Sequence, residues 1–346
     1  MPTRVSVIIT VHQGAATIAE PLLALAAQRL PRDVQLEVTL VDDRSSDGTG
    51  ERARQIADEL GVDVRTVRVD DAPTGPRSAR QAALDAGIVA ATGETLVVLD
   101  ADAAPPPDWI GAMLQSLETA EVVASPIRYR AGGPGVRAAA IAALQSVDAA
   151  YYHAACRAVA AAGAAPGLCF GGAAFRRSLL ARTGTFASLG FTLTEDLAFA
   201  RAAHAAGGRI AFLTGSSVVV QGSTSLRALR ERAVRVAATG GLSALALTLA
   251  LPVATLPLAV ALALAGVLPW WLVAVRWALG AAALTAALRT TGTLRAWPAV
   301  WLYEAAASTM AVAVALRSRR AHAIEWGGVT YRRHPAVAVE TVGGTL

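Results

Sequence analysis

The chain of 346 residues contains no lysine, so its formal charge of +5 is carried entirely by arginine. Those arginines are scattered and are not interleaved with aromatic residues, which argues against nucleic acid as a partner. A basic surface facing a membrane fits the pattern better. Cysteine is scarce too. Cys156 and Cys169 make neither a metal nor a redox spacing and are expected as free thiols of a reducing compartment. Charged residues amount to only 16%, hydrophobic residues to 54%, and the mean hydropathy is +0.45. That is too apolar for an ordinary soluble protein and too charged for membrane helices alone. A soluble domain joined to membrane helices is expected, and the length permits both. No secretory leader is expected, because Val5–Thr10 is far too short for its apolar core and reads as a first strand.

Strand and helix patterns alternate through the first hundred residues. Val5–Thr10 is β-branched and is followed by an Ala/Leu-rich helix over Ala15–Leu30, closed by Pro31. Leu36–Val41 is a second strand, about Gly50–Leu60 a helix, Val62–Val69 a third strand and Ser78–Ala91 a helix. Val97–Asp100 is then a buried strand, with the proline run 105–107 ending it. The alternation predicts an α/β domain, a doubly wound sheet with a nucleotide-type site at its carboxyl edge.

Two acidic stretches fall at that edge. If strand alternation continues, Asp100 and Asp102 point to the same side. Like charges so close are costly unless neutralised, and a hard divalent cation is the natural partner; a solvated strand end is the alternative. The turn Asp42–Thr49 is rich in Asp, Ser and Gly. It suits the capping of the next helix and equally a carboxylate that accepts hydrogen bonds from a ribose or a base.

The opening strand, Val41-Asp42-Asp43-Arg44-Ser45-Ser46-Asp47-Gly48-Thr49, Arg80 to Gly87, Ala91 to Glu94 and Leu99-Asp100-Ala101-Asp102 together resemble a family 2 glycosyltransferase. Within that family the chain is most similar to the membrane-bound ceramide-glucosyltransferase-like group, which includes bacterial hopanoid and carotenoid enzymes. The resemblance implies a GT-A (Rossmann-like) mixed α/β sheet followed by C-terminal transmembrane helices. It also implies that Asp43 contacts the nucleobase and that Asp100 and Asp102 hold Mg²⁺ or Mn²⁺. Arg80 stands where the family usually has lysine and Asp85 where it usually has asparagine. Phe175-Arg176-Arg177, then Leu193 to Arg201, then Gly207 to Phe212 match the segments around the family's catalytic base, which is Asp196 here. On local grounds Thr194 or Glu195 can cap the helix that begins there. Arg232-Ala233-Val234-Arg235-Val236 stands at the family's Gln-x-x-Arg-Trp box, with the second arginine present and the tryptophan missing. Arg80, Arg232 and Arg235 thus join Asp43, Asp100 and Asp102 as expected nucleotide-sugar contacts. A basic helix lying against lipid phosphates is the competing reading of the box.

The alanine-rich stretch Ala138–Ala165 carries Gln145, Asp148, His153 and Arg157 and is too polar to span a bilayer. It is expected on the sheet or at the membrane surface. Tyr151, Tyr152 and His153 suit core or interface packing better than an acceptor entrance, and His204 has an ordinary helical reading. The glycines of Pro166–Gly172 let the chain approach a ligand closely.

No charged residue occurs between Arg235 and Arg276, a run long enough for a helical hairpin, with Pro269, Trp270 and Trp271 at its turn. Spans are expected at about 242–266, 270–288 and 296–316, with Arg276 snorkelling towards an interface and Glu304 paired or protonated in a helix contact. Three crossings would carry the C-terminus away from a cytoplasmic site, whereas Arg317, Arg319 and Arg320 argue that it stays inside; one apolar segment lying in the interface would reconcile the two. The tail Ile324–Arg332 resembles a Trp–Gly–Tyr element found after the helices in the same group.

The expectation is therefore a catalytic domain over 1–235, helices over 236–320 in the inner membrane and a tail over 321–346. The implied activity is inverting transfer of one sugar from a nucleotide sugar, taken as a UDP-sugar, to a hydroxyl of a lipid acceptor. A processive polysaccharide synthase and a non-catalytic scaffold are the alternatives.

Overall fold

A computed structural model describes residues 3–73, 77–239, 243–318, 323–332 and 340–342. The chain opens with β1 (Thr3–Val11), α1 (Ala19–Ala26), β2 (Val34–Asp43), α2 (Thr49–Leu60), β3 (Val64–Val69) and α3 (Ala79–Ala90). Next come β4 (Thr95–Asp100), β5 (Ala103–Ala104), α4 (Trp109–Leu117), β6 (Val122–Ala124), β7 (Ile127–Arg130) and α5 (Val136–Ala161). Then follow β8 (Ala173–Arg176), α6 (Leu180–Thr183), α7 (Glu195–Ala205), β9 (Ile210–Phe212), β10 (Val218–Gln221) and α8 (Leu226–Thr239). The apolar helices are α9 (Ala244–Leu264), α10 (Trp270–Thr290) and α11 (Val300–Ser318), and the described chain closes with β11 (Ala323–Trp326), β12 (Val329–Arg332) and β13 (Glu340–Val342).

Seven strands form the main sheet in the order β3-β2-β1-β4-β8-β6-β9. β1 to β4 run parallel, whereas β8 is antiparallel to both β4 and β6, so the sheet is mixed. β1 is buried on both faces: Val5, Val7 and Ile9 pack with Leu22, Ile56 and Trp109, and Ile8 packs with Leu84, Phe175 and Phe199. Burial on both faces is why parallel strands read as unbroken apolar runs.

Several boundaries differ from expectation, and two of them bear on the site. α1 begins at Ala19 rather than Ala15, and the segment before it is tied to the turn after β2. Gln13 donates to Ser45 Oγ (3.0 Å), Gly14 to Thr49 Oγ1 (2.9 Å) and Ala15 to Asp47 Oδ2 (3.0 Å). β2 runs on to Asp43, so Asp42 and Asp43 are strand residues opposite Arg68 and Val69.

α5 packs on β7 and along α9, α10 and α11. Its Val147 and Ala150 meet Leu284, Leu288, Val300 and Tyr303. Tyr151 and His153 are packing residues, the first donating to Thr248 O (2.5 Å) and the second to Leu213 O (2.8 Å). The imidazole also lies edge-on to Phe212, 5.4 Å between ring centroids.

Three helical segments are long and apolar enough to cross a membrane: Ala244–Leu264, Trp270–Thr290 and Leu294–Arg317. Twenty-one residues span about 31 Å, the thickness of a bilayer's hydrocarbon core. α9 contains Pro252 and Pro257, each of which frees the carbonyl four residues earlier. Neighbouring hydroxyls occupy both: Tyr151 takes Thr248 O and Ser308 takes Val253 O at 2.9 Å.

Arg276 does not snorkel. Its Nη1 donates to both oxygens of Glu304 at 2.9 Å, and its Nε and Nη2 donate to Thr255 Oγ1. A guanidinium among apolar helices is held better by a carboxylate within reach than by distant water. Gly280 makes the room, since a Cβ there would lie 2.5 Å from Glu304 Oε1.

The helices are fastened back to the sheet domain. Gly215 N donates to Thr290 O (2.8 Å) and Ser217 Oγ to Thr291 O (2.5 Å), and α11 packs against both α5 and α8. Leu242, Arg319 and Arg320, used in the sequence reading of spans and topology, lie outside the described residues.

Two tests follow from this packing. Arg276→Met should cost about 3–5 kcal/mol by leaving Glu304 buried without a counter-charge, and Arg276→Met with Glu304→Leu should recover most of that. Unfolding in detergent measures both, and an unaffected single variant would remove the ion pair from the account. Burial pushes the His153 pKa down to about 4, below its unfolded value of about 6.5. The unfolded chain therefore takes up the proton first, so the stabilisation is complete above about 6.5 and is lost as pH falls towards 4. His153→Gln should flatten the melting profile in that window, and an unchanged slope would contradict the assignment.

Candidate functional site

Register brings the acidic residues to one edge. Thr10 lies opposite both Val41 and Asp100, so the carboxyl ends of β2, β1 and β4 are level. Asp43 and Asp100 stand there two strand spacings apart, roughly 10 Å. β4 stops at Asp100, and Ala101–Asp102 form a turn. The alternation expected to carry Asp102 therefore does not reach it. β5 leaves the main sheet and pairs with β10, Ala103 opposite Val220, before the prolines begin. Asp102 still comes within range of Asp100, and burial together with that charge pushes its carboxyl up to about 6.

Arg80, from the first turn of α3, is the hub. Its Nη2 donates to Asp100 Oδ1 at 2.5 Å, and its Nε lies 2.8 Å from Glu195 Oε1. The Nε–H is not aimed along that second contact, and Glu195 Oε2 has no hydrogen-bond partner among the described residues, so Arg80 and Glu195 interact as an ion pair. Burial opposes the charge on Arg80, but Asp100 and Glu195 raise its pKa. Burial likewise opposes the charge on Asp100, yet Arg80, Arg232 and Arg235 hold its carboxyl below the usual range. Glu195 is a buried member of this cluster rather than the simple helix cap the sequence suggests, and burial pushes it up to about 7. Asp196, the second residue of α7, accepts a hydrogen bond from Leu197 N at 2.8 Å, and burial raises its pKa.

From α8, Arg232 lies over the Tyr129 ring (5.3 Å) and Arg235 over the Trp326 ring (4.5 Å). Burial, with Arg232 and Arg80 as like charges, brings Arg235 down to about 10. It remains a cation at neutral pH.

A cavity of about 530 Å³ joins these groups. Asp100, Asp196, Arg80, Arg232 and Arg235 line its polar part. Beyond Asp196 the wall becomes apolar, through Tyr152, Leu197 and Phe212 to Leu245 and Leu249 at the start of α9. Asp148 also faces the cavity and accepts a hydrogen bond from Tyr303 on α11 at 2.5 Å. Cys156 and Cys169 are free thiols on the same wall, as expected, and burial pushes each up to about 12.

Asp43 lies outside this cavity, on the far side of the edge. Both its oxygens accept from Arg44, at 2.7 and 2.9 Å, and Arg44 Nη2 also donates to Gly327 O at 2.9 Å. Arg44 holds φ +57 to do so, a left-handed conformation that costs a non-glycine residue of order 1 kcal/mol. Asp85 is not at the site. Its carboxylate accepts the backbone N–H groups of Phe186 and Ala187, both at 2.8 Å, and anchors that loop.

The sequence reading missed Arg44, Asp148 and the contact of Trp326 with Arg235. Arg44 lay inside the Val41–Thr49 motif and Trp326 in the tail element, but neither pattern points to these contacts. Among the described residues no group of three or more His, Cys, Asp or Glu is arranged so that it could hold a metal ion by itself. Asp100 and Asp102 offer two carboxylates, which suits Mg²⁺ or Mn²⁺ completed by phosphate and water.

Curated relatives match part of the chain. AglE, a glycosyltransferase of Haloferax volcanii, is 36% identical over 106 residues, which is 31% of this chain and 33% of AglE. YdaM, a probable glycosyltransferase of Bacillus subtilis, is 29% identical over 102 residues, 30% of this chain and 23% of YdaM. The match thus spans a third or less of each relative. The mannosyltransferase PcManGT of Pyrobaculum calidifontis, solved in complex with GDP-Man and Mn²⁺, superposes over 92% of this chain and 88% of its own with a TM-score of 0.57. At 23% identity that likeness is one of fold, and the shared fold is the mixed GT-A sheet. Residues 2–239, which carry the sheet and every carboxylate and arginine of the cavity's polar part, match the family model described as glycosyltransferase like family 2. The chain belongs to that family.

Proposed function

We propose that the protein transfers a single sugar, with inversion, from a UDP-sugar to a hydroxyl of a membrane lipid. The observation that carries this reading is the one cavity that joins Asp100 and Asp196 to Leu245 and Leu249 on α9. A lipid lying along α9 can present its hydroxyl to Asp196 without leaving the apolar phase. The helices then sit in the inner membrane with the sheet domain on the cytoplasmic face. α9 and α10 cross as a hairpin and α11 stays on the near side, since the end of α10 and the strand after α11 both touch the sheet domain. Transfer of one sugar fits so few helices better than the threading of a polymer does.

Each residue has a role in the reaction. Asp43 accepts an imino N–H of the nucleobase, and the bidentate Arg44 fixes the orientation of that carboxylate. Arg80, Arg232 and Arg235 bind the diphosphate. Asp100 and Asp102 would hold Mg²⁺ or Mn²⁺, which neutralises charge on the leaving nucleoside diphosphate. Asp196 takes the proton from the attacking hydroxyl, and the apolar wall beyond it excludes water from the sugar's anomeric carbon.

The full chain in detergent, given UDP-hexose and a lipid extract, should yield lipids heavier by one hexose by mass spectrometry. A polymer ladder, or equal transfer to a water-soluble alcohol, would overturn the acceptor assignment, and turnover with GDP-mannose alone would overturn the choice of base. EDTA should abolish turnover and Mn²⁺ restore it, whereas full activity in chelator would remove the metal from Asp100 and Asp102. Asp196→Asn should lower the rate by about 10²–10⁴-fold while leaving calorimetric binding of UDP with Mn²⁺ nearly unchanged. Glu195→Gln, which loosens Arg80, should instead weaken that binding. If Asp196→Asn turns over normally, the base lies elsewhere.

A further inference from the structure

The stretch Arg232–Val236 lacks an aromatic residue beside Arg235, yet a ring stands there. Trp326, ninety residues further on, places its indole 4.5 Å from the Arg235 guanidinium carbon, and both line the cavity. We propose that Trp326 is a positioning residue of the donor site, holding the Arg235 guanidinium against the diphosphate of a bound nucleotide. The inference rests on the donor reading above.

The strand that carries Trp326 is docked by contacts that do not involve Arg235. β11 and β12 form a hairpin over Gly327 and Gly328, whose φ values of +56° and +70° suit a tight two-residue turn. Gly328 is also required by space, because a Cβ there would lie 2.7 Å from His12 Nε2. Gly327 O accepts from Arg44, and the buried Tyr331 hydroxyl accepts from Ala79 N at 3.0 Å, one residue before Arg80. The indole is therefore set in place by the nucleobase end of the site and by the start of α3.

Arg235 needs such a support. Arg80 and Arg232 are like charges beside it, and its Nε–H has no acceptor among the described residues. Arg235 also acts on Asp100 and Glu195 at the polar end of the cavity. An aromatic face attracts a guanidinium without taking its N–H donors, which leaves them for phosphate oxygens. A carboxylate in the same position would compete with the ligand.

The test is a double-mutant cycle on full-length protein in detergent, read as calorimetric affinity for UDP with Mn²⁺ and, in parallel, for GDP with Mn²⁺. Trp326→Ala should weaken nucleotide binding about 3- to 30-fold, and Trp326→Phe should restore most of the loss. Arg235→Ala should weaken binding by itself, and adding Trp326→Ala to it should change nothing more. If Trp326→Ala does not fold by thermal unfolding, Trp326→Leu, which keeps apolar volume without a π face, completes the cycle against Trp326→Phe. Unchanged affinity in the Trp326 variants, or losses that add in the double variant, would overturn the inference and leave the donor reading standing. Wild-type protein that binds neither nucleotide would remove the donor reading, and this inference with it.

Discussion

The bridge from Arg80 to Asp100 and Glu195 is the interaction on which the site depends. Asp100, Glu195 and Asp196 line one end of a cavity with Asp102 nearby, where burial raises the cost of each charge and Asp100 and Asp196 add to it. Arg80, entering from α3, ties the end of β4 to the start of α7 and keeps Asp100 ionised. Arginine suits this place better than lysine would, since a broad guanidinium donates to Asp100 from one nitrogen while another lies beside Glu195, and an ammonium is a single point. Arg232 and Arg235 complete the counter-charge from α8. The balance is left open to a ligand that brings its own charges.

A second constraint joins that site to the apolar helices. α5 is too polar to enter a bilayer and too apolar along one side to face water, and it lies between the two parts. Its Tyr151 takes the carbonyl that Pro252 frees on α9, its Asp148 receives the hydroxyl of Tyr303 on α11, and its Tyr152 donates to Leu168 O in the glycine-containing stretch Pro166–Gly172. One helix thus lines the cavity and grips the apolar helices. Buried hydroxyls on bare carbonyls, together with the Arg276–Glu304 pair, specify how α9, α10 and α11 meet, because lipid tails give apolar helices little preference among packings.

The strand after α11 closes the other end. Gly327, Tyr331 and Trp326 touch Arg44, Ala79 and Arg235 in turn, so residues up to more than two hundred positions apart meet along this edge. The end of the site at Asp43 and Arg44 and the end at Arg235 are held by the same short hairpin.

The strands β1 and β4 were legible because burial on both faces demands continuous apolar residues, and the apolar helices because a bilayer demands length and an absence of charge. Asp100 and Asp102 stood out because they follow such a strand, and Asp196 because its segment resembles a family motif. What the sequence could not show depends on partners distant along the chain. Strand alternation failed at Asp102 because β5 leaves for another sheet to meet β10. Glu195 resembled a cap until Arg80 arrived from over a hundred residues earlier. Arg276 looked like a snorkelling residue because Glu304 and the space above Gly280 are visible only once α10 and α11 pack. Periodicity and local chemistry are written in neighbouring residues, whereas the pairing of buried charges and the return of Trp326 to Arg235 were decided only by the tertiary structure.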